Sequence, residues 1–341
     1  MGFKRAAVIG GGSFGTVVAN IMADNDIKTV QWMRNANTAE SINSSHENLK
    51  YLPGVKLNPS LTATTDINAS IVDADIIVIS VPSQSVREVV QSIAAQIKPH
   101  QVLLSTTKGI EHERFLLMSQ VIHEVCPDNP VAVLSGPNLA KEIARRELAG
   151  SVVACEDAEV RREIQVALSC SYFRIYASND LYGVELGGAL KNIYAIISGF
   201  VAALGMGENT KSMIITRSLA EMSRFAVTLG ANPLTFLGMA GIGDLVVTCM
   251  SPLSRNYRVG LAIGSGKTLE QAIEELGEVA EGVNTLRYVR DKAIELDIYM
   301  PLVMAAYEVL FNGAQPKSVA QGLMTGEHTS DVEFALPRYE I

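Results

Sequence analysis

The sequence predicts an α/β first half built on a doubly wound parallel sheet and an all-α second half. Short apolar runs alternate with helical stretches as far as about residue 178. The run at 74–82 is apolar along most of its length, as is typical of parallel strands covered on both faces. Beyond residue 178 strand patterns stop and long helical patterns follow, so we predict domains over residues 1–180 and 181–341.

The first half alternates the two kinds of element in chain order. Predicted strands occupy residues 6–10, 29–33, 74–82, 101–107, 131–136, 151–155 and 173–178. Predicted helices between them occupy residues 15–24, 85–97, 114–125 and 158–169. Strand–helix alternation of this kind favours a parallel sheet with helices on both faces.

The second half carries helix start and stop signals. A long periodic segment is predicted to begin at a cap, Asn209, and to end at Gly230. Thr268 with Gln271 three residues later forms a capping box, and Gly277 follows as the terminator. Three prolines stand where helices are predicted to begin: Pro233, Pro301 and Pro316.

Charge and the N-terminal sequence bear on the partners and the location of the protein. The chain has 341 residues, enough for two domains, and a formal net charge of −8 without a basic tail. Nucleic-acid binding needs a basic surface, so we do not expect it. The N-terminus runs straight into a strand without the features of a signal peptide, which predicts a cytoplasmic protein with reduced thiols.

Neither cysteines nor histidines form a metal-binding pattern. The four cysteines contain no CxxC and are interpreted as core residues: Cys126, Cys155, Cys170 and Cys249. The five histidines have no ligand spacing: His46, His100, His112, His123 and His328. We therefore predict no metal.

The apolar stretch at 186–207 is long enough to cross a membrane, but it contains Lys191 and Asn192. A lysine in the middle of a membrane helix costs roughly 2.5–3.5 kcal/mol. We predict instead a buried helix of a globular core and no integral membrane segment.

A glycine-rich turn follows the first predicted strand. Gly10, Gly12 and Gly15 form GxGxxG between a strand and a helix, the context of a Rossmann-like dinucleotide site. The glycines there permit a tight turn and close approach of a pyrophosphate. The alternative is an ordinary glycine-rich turn of an α/β protein.

The end of the second strand bears on the choice of cofactor. Arg34 stands where an acidic residue usually binds the ribose of NAD, and an arginine suits the additional phosphate of NADP. We predict NADP or NAD, with NADPH favoured, although a solvated arginine fits the pattern too. Ser13 and Phe14 occupy the variable positions of the loop and are expected to line the cofactor.

Three strand ends carry motifs typical of a ligand-binding rim. "VPS" (81–83), "TTKG" (106–109) and "SGPN" (135–138) follow successive strands, and open parallel sheets bind ligands at this edge. Each motif taken alone is also an ordinary turn. Together they predict a rim that faces the nicotinamide half of the cofactor, with Lys108 at the end of one of its strands.

Isolated charges mark the second half. Lys191 and Asp244 lie among apolar residues, and buried charges are usually paired. Ser254, Arg255 and Asn256 precede a helix, so backbone amides and an arginine are available for a phosphate. The alternatives are a lysine that reaches out of a buried helix and a plain helix start with a surface arginine. The cleft between the two domains is the expected site.

The ordered motifs resemble those of one enzyme family. "GGGSFGT", "VPS", "TTKG", "SGPN", "LGGALKN", "NTKSMIITR", "GIGDLVVTC", "SRN" and "VAEGVNT" occur in order between residues 10 and 285. Together they closely resemble the bacterial-type NAD(P)-dependent glycerol-3-phosphate dehydrogenases. The resemblance implies a cytoplasmic, dimeric enzyme that interconverts dihydroxyacetone phosphate and sn-glycerol 3-phosphate for phospholipid synthesis.

The same resemblance implies roles for individual residues. Lys191 is implied as the proton donor and acceptor. Implied substrate contacts are Lys108, Gly136, Asn138, Lys191, Asp244, Ser254, Arg255 and Asn256. Implied cofactor contacts, besides the three loop glycines, are Ser13, Phe14, Arg34, Lys108, Ala140, Arg255, Val279 and Glu281. Asn138 departs from the family pattern, which commonly has Ser or Thr there.

Two other functions fit parts of the sequence. One is a dehydrogenase of similar build that acts on a hydroxyacid or sugar acid. Such an enzyme would need a site that binds a carboxylate, whereas "SRN" better fits a site that binds a phosphate. The other is a non-catalytic sensor of NAD(P)H, which would not need Lys191 and Asp244 in the second half.

Overall fold

The computed structural model describes residues 2–112, 114–277 and 279–325. By its internal contacts the chain divides into two compact units, Met1–Ala189 with Leu237–Asp244 and Leu190–Phe236 with Leu245–Ile341. The boundary near residue 180 stays a prediction. His328 and the last part of the predicted second domain lie outside the described residues.

The first unit contains an eight-stranded sheet and a two-stranded hairpin. The strands are β1 Arg5–Ile9, β2 Lys28–Trp32, β3 Thr62–Thr64, β4 Ile76–Ile79, β5 Val102–Ser105, β6 Ile110–Glu111, β7 Leu116–Leu117, β8 Val131–Ser135, β9 Ala149–Ala154 and β10 Phe173–Ser178. The large sheet has the order β10-β9-β8-β5-β4-β1-β2-β3. Neighbouring strands run parallel except β8 and β9, which are antiparallel, so the predicted doubly wound fold is confirmed with one reversed junction.

Helices cover both faces of this sheet. They are α1 Ser13–Asp24, α2 Ala36–Ser45, α3 Ile67–Ile71, α4 Val86–Ile93, α5 Met118–Val125, α6 Ala140–Ala144 and α7 Ala158–Leu168. Because side chains alternate along a strand, Ala6 and Val8 pack in one core and Ala7 and Ile9 in the other. The first core contains residues of α1, α2, α6 and α7, and the second contains residues of α3, α4 and α5.

Two short pairings were not expected from the sequence. β3 is a three-residue edge strand, too short for a periodic signal. The side-chain amide of Asn43 bonds both the N–H and the carbonyl of Ala63, which covers the open edge of the sheet. The hairpin β6–β7 occupies the start of the helix predicted at 114–125, so that helix begins only at Met118.

The second half of the chain is helical, and the described residues beyond 178 include no strand. Its helices are α8 Leu181–Ala203, α9 Glu208–Thr228, α10 Asp244–Met250, α11 Arg255–Gly264, α12 Leu269–Leu276, α13 Glu281–Glu295, α14 Pro301–Phe311 and α15 Pro316–Met324. The all-α prediction is therefore confirmed. The division between the units falls inside α8 and α10.

The helix ends largely agree with their sequence signals. Thr268 and Gln271 form the predicted capping box of α12, and Gly277 ends it in a left-handed conformation. Pro301 and Pro316 begin α14 and α15. Pro233 begins a short 3-10 helix, Pro233–Leu237. The predicted cap of α9 was wrong: Gly207 is the N-cap and Asn209 lies in the first turn.

The helix α8 is long and apolar enough to cross a membrane by length and composition alone. In the structure 83% of its most apolar window is buried inside the protein. That burial is typical of a core helix, since a membrane-spanning helix would present its apolar side chains to lipid.

Glycines bring α8 and α11 unusually close within the second unit. A Cβ at Gly260 would lie 1.9 Å from the carbonyl oxygen of Ile196, and one at Gly199 would lie 2.3 Å from that of Tyr257. Real Cβ atoms do not come so near to backbone, so only glycine permits this crossing. The crossing places the N-terminus of α11 along the helix that carries Lys191.

Candidate active site

The glycine-rich loop joins β1 to α1 in the first unit. Gly10 has φ +136°, and a Cβ there would lie 2.1 Å from the carbonyl oxygen of Ser80 at the end of β4. A Cβ at Gly15 would lie 2.7 Å from the carbonyl oxygen of Gly10. Both positions therefore require glycine, since a side chain would force the strand ends and the helix apart.

Gly12 has the opposite surroundings. It is the N-cap of α1 without a side-chain cap, and a Cβ built on it would meet no heavy atom within 4 Å. The first-turn amides of α1 therefore lie beside open space, where the helix dipole favours a negative charge. The loop fits a dinucleotide pyrophosphate.

The other predicted cofactor residues of this region differ in their surroundings. Ser13 donates its hydroxyl hydrogen to the carbonyl oxygen of Tyr51 at 3.0 Å, and Phe14 packs against the core of the sheet. Arg34 follows β2 and is exposed, and no hydrogen bond or ion pair joins it to another described residue. Ala140 is the first residue of α6.

A buried ion pair lies beyond the carboxyl ends of β5 and β8. Lys108 Nζ is 2.6 Å from Asp244 Oδ2 and donates to the carbonyl oxygen of Gly136 at 2.9 Å. The Asp244 side chain is fully buried, whereas that of Lys108 is 19% exposed. The carboxylate thus has a paired cation, which its burial requires, and two of the three ammonium hydrogens of Lys108 are engaged.

Close packing holds Lys108 against α8. A Cβ at Gly188 would lie 2.5 Å from Ser135 Oγ and 3.4 Å from Cγ of Lys108. The glycine of "LGGALKN" therefore admits both the serine at the end of β8 and the stem of the lysine. Asp244 itself begins α10 directly after a π-helical turn, Met239–Gly243.

Asn138 has a buried acceptor without a partner. Ser151 Oγ donates to the carbonyl oxygen of Ser135 at 2.8 Å, so its hydrogen is used. Ser151 Oγ must then accept from Asn138 Nδ2 at 3.0 Å, which fixes the orientation of the amide. Asn138 Oδ1 is buried and bonds no described residue. Asn138 therefore offers a ligand an acceptor.

Lys191 is held within the second unit. Its side chain lies on α8, the residue is 6% exposed, and Nζ donates to Thr248 Oγ1 at 2.7 Å. Thr248 was not predicted as a site residue. Its position four residues after Asp244, one helical turn along α10, is a signal that could have identified it.

A second set of bonds joins three helix segments of the same unit. Asn256 Nδ2 donates to Asn192 Oδ1 at 2.9 Å, and Asn256 Oδ1 accepts from the backbone N–H of Gly282 at 3.0 Å. Asn256 is thus anchored inside the protein through Oδ1 and one of its two Nδ2 hydrogens, and its predicted contact with substrate stays a prediction. It ties α11 and the start of α13 to the residue that follows Lys191.

The remaining predicted residues lie around these helix starts. Ser254 caps α11 by accepting from the backbone N–H of Tyr257 at 3.3 Å. Arg255 is the first residue of α11 and is exposed. Glu281 begins α13, and Val279 is exposed just before it.

Two buried glutamates accept hydrogen bonds from backbone N–H groups at helix starts. The sequence did not predict a role for either glutamate. Glu185 accepts from both the backbone N–H and the hydroxyl of Ser119 at the start of α5. Burial raises the pKa of Glu185 to about 7, against the lowering effect of these hydrogen bonds. Glu221 accepts from the backbone N–H of Leu302 at 2.6 Å at the start of α14, and burial raises its pKa to about 7 as well.

Comparison with known proteins identifies similar chains. Residues 5–161 match the N-terminal part, and residues 180–321 the C-terminal part, of the NAD-dependent glycerol-3-phosphate dehydrogenase family. The glycerol-3-phosphate dehydrogenase (NAD(P)+) of Acinetobacter baylyi is 55% identical over 337 residues, which cover 99% of this chain and 94% of that one. The corresponding enzyme of Ectopseudomonas mendocina is 55% identical over 328 residues, 96% of each chain.

Solved structures of glycerol-3-phosphate dehydrogenases are also similar to this chain. The chain is similar to the glycerol-3-phosphate dehydrogenase of Coxiella burnetii, with a TM-score of 0.90, 32% identity and coverage of 95% of this chain and 99% of that one. It is also similar to that of Plasmodium falciparum, with a TM-score of 0.89, 27% identity and coverage of 96% and 97%.

Proposed function

Because the chain belongs to the NAD-dependent glycerol-3-phosphate dehydrogenase family, we propose that Lys191 moves the proton in its reaction. That reaction is the NAD(P)-dependent interconversion of dihydroxyacetone phosphate and sn-glycerol 3-phosphate, which supplies glycerol 3-phosphate for phospholipid synthesis. The observation that carries the proposal is a buried amine bonded to Thr248 on a helix tied to the start of α11.

The chemistry requires a proton at one oxygen atom. The nicotinamide, when bound, supplies or takes up the hydride. As hydride reaches the ketone carbon, negative charge develops on the carbonyl oxygen, which needs a proton and a nearby positive charge. Lys191 Nζ would give that proton in reduction and receive it in oxidation. Its bond to Thr248 Oγ1 helps to hold the ammonium group in position.

We propose that the start of α11 binds the substrate phosphate. Arg255 is exposed at the first helical position, where the helix dipole and the guanidinium both favour an anion. Ser254 caps this helix, and Asn256 anchors it through Asn192. In this assignment Asn256 holds the helix start in place through Asn192 and Gly282, and the second N–H of its Nδ2 donates to the phosphate.

Lys108, Asp244, Gly136 and Asn138 form the second proposed substrate group. One ammonium hydrogen of Lys108 is left by the bonds to Asp244 and Gly136, and Asn138 Oδ1 is an acceptor without a partner. Such a pair of one donor and one acceptor suits the carbonyl and hydroxyl groups of a small ketose or polyol.

The proposed cofactor residues are those of the glycine-rich loop, with Ser13, Phe14, Arg34, Lys108, Ala140, Arg255, Val279 and Glu281. The open space at Gly12 supports this assignment for the pyrophosphate.

The exposed guanidinium of Arg34 supports NADPH as the favoured cofactor. Arg34→Asp should weaken NADPH binding far more than NADH binding, because an attraction to the ribose phosphate becomes a repulsion. Steady-state kinetics with both cofactors measure this. Equal losses of affinity for NADPH and NADH would show that Arg34 does not bind the ribose phosphate.

An assay of substrate choice tests the proposed function. Purified protein should oxidise NAD(P)H with dihydroxyacetone phosphate, and much more slowly with dihydroxyacetone, because binding of the remote phosphate helps to orient the ketone. A 2-keto acid serves as the comparison for the hydroxyacid dehydrogenase alternative. Binding of NADPH without turnover of dihydroxyacetone phosphate, or faster turnover of the keto acid, would contradict the assignment.

Membership of the family supports a proposal for the oligomeric state and the cellular location. We propose a cytoplasmic homodimer. Light scattering should then give about twice the chain mass of 36.7 kDa. A mass of one chain at assay concentrations would exclude the dimer, and recovery of the protein in the membrane fraction would exclude the cytoplasmic location.

A further inference from the structure

Three polar side chains are completely buried beneath the glycine-rich loop. Thr16 on α1, Gln31 on β2 and Asn48 after α2 are each 0% exposed. Burying an amide or a hydroxyl is costly unless it is hydrogen-bonded. Their bonds therefore indicate what these residues stabilise.

Each of the two amides donates once to a loop carbonyl and once to Thr16 Oγ1. Gln31 Nε2 donates to the carbonyl oxygen of Gly10 at 2.8 Å and to Thr16 Oγ1 at 3.0 Å. Asn48 Nδ2 donates to the carbonyl oxygen of Gly11 at 3.0 Å and to Thr16 Oγ1 at 2.8 Å. Since carbonyl oxygens only accept, these contacts fix the orientation of both amides.

The bonds determine where the loop amides point. In a trans peptide the C=O and the following N–H point in opposite directions, and the described residues contain no cis peptide. The carbonyls of Gly10 and Gly11 are held toward the buried amides. The N–H groups of Gly11 and Gly12 therefore point away from them, and a Cβ at Gly12 would meet only open space.

The same group holds a neighbouring segment. Asn48 Oδ1 accepts from the backbone N–H of Tyr51 at 3.2 Å, and the carbonyl oxygen of Tyr51 accepts from the Ser13 hydroxyl at 3.0 Å. The segment 48–51 is thus bonded to the loop at both ends.

We propose that Thr16, Gln31 and Asn48 are positioning residues that hold the glycine-rich loop in the shape that binds the dinucleotide pyrophosphate. Consecutive glycines have wide conformational freedom, so a free loop would lose entropy on binding its ligand. The buried amides remove that freedom in advance, and preorganisation of this kind increases affinity. The inference rests on the proposed function only in taking NAD(P) as the ligand.

Thr16→Val is the sharpest test, because valine keeps the shape of threonine and removes the oxygen that accepts from both amides. Both of these hydrogen bonds are lost, and a loss of preorganisation worth about one hydrogen bond of ordinary strength should raise the Kd for NADPH about tenfold. The Kd is measured by NADPH fluorescence without substrate. At saturating NADPH, kcat and the KM for dihydroxyacetone phosphate should change little. Thr16→Ser retains the hydroxyl and should restore most of the affinity.

The matched control is Thr29→Val. Thr29 is also 0% exposed and lies on β2, but its hydroxyl donates to the carbonyl oxygen of Ile27, away from the loop. This variant should lower Tm without changing the Kd for NADPH. If Thr16→Val binds NADPH as Thr29→Val does, the inference is wrong.

A second variant and the parent protein cover two further outcomes, a Thr16→Val protein that does not fold and a parent protein that does not bind the cofactor. Asn48→Leu removes the other amide and is measured in the same way if Thr16→Val does not fold, and unchanged NADPH affinity there would also overturn the inference. If the unmodified protein fails to bind NADPH or NADH, the proposed function itself is wrong.

Discussion

Lys191→Met should lower kcat by about 10²–10⁴-fold, the range typical of losing a positioned proton donor. Methionine has a similar volume and leaves the packing of α8 intact, while removing the amine that bonds Thr248. The oxygen that gains negative charge during reduction would then have no proton source on this helix. Single-turnover and steady-state oxidation of NADPH with saturating dihydroxyacetone phosphate measure the loss.

Folding and cofactor binding separate this role from a structural one. The variant should bind NADPH with the parent affinity, because the glycine-rich loop belongs to the other compact unit. Lys267→Met is the control, since Lys267 forms an exposed ion pair with Glu275 and should be dispensable. A folded Lys191→Met that binds both ligands and turns over near the parent rate would refute the proposed mechanism.

Gly260→Ala should destabilise the protein by about 1–3 kcal/mol, as expected for overpacking a close helix crossing. The added Cβ would lie 1.9 Å from the backbone oxygen of Ile196, which no side-chain rotation relieves. Separation of α11 from α8 would strain the Asn256–Asn192 bond and displace the proposed phosphate site. We therefore expect a lower urea midpoint together with a higher KM for dihydroxyacetone phosphate.

Gly322→Ala is the matched control for the chemical change. Gly322 lies inside α15, and a Cβ there would meet no atom within 4 Å. Alanine is a better helix former than glycine, so this variant should gain up to about 1 kcal/mol of unfolding free energy. Equal urea midpoints for Gly260→Ala and the parent would show that the helices adjust without cost.

The two compact units show where prediction from the sequence succeeds. The strand ending before Gly10, the helix after it and the capping box at Thr268 all depend on residues within a few positions of one another. Hydrophobic periodicity and glycine conformation act over this same short range. β3 and the hairpin β6–β7 were missed because strands of two or three residues are too short to show a period.

Partners of buried polar groups could not be predicted in the same way. Asp244 is paired with Lys108, which lies 136 residues away in the chain. The amide of Asn256 bonds Asn192, 64 residues away, and Gly282. Nothing beside these residues in the sequence indicates such partners, because a polar side chain can be satisfied by any element that folding brings near.

The α/β and all-α halves, the dinucleotide loop and the family can be predicted from the residues alone, since each depends on local spacing or on motif order. The cation that pairs with Asp244, the oxygen that bonds Lys191 and the buried amides that hold Gly10 and Gly11 become known only from the folded chain. Desolvation explains this difference. A buried polar group must find a hydrogen-bond partner, and packing of distant segments decides which one is available.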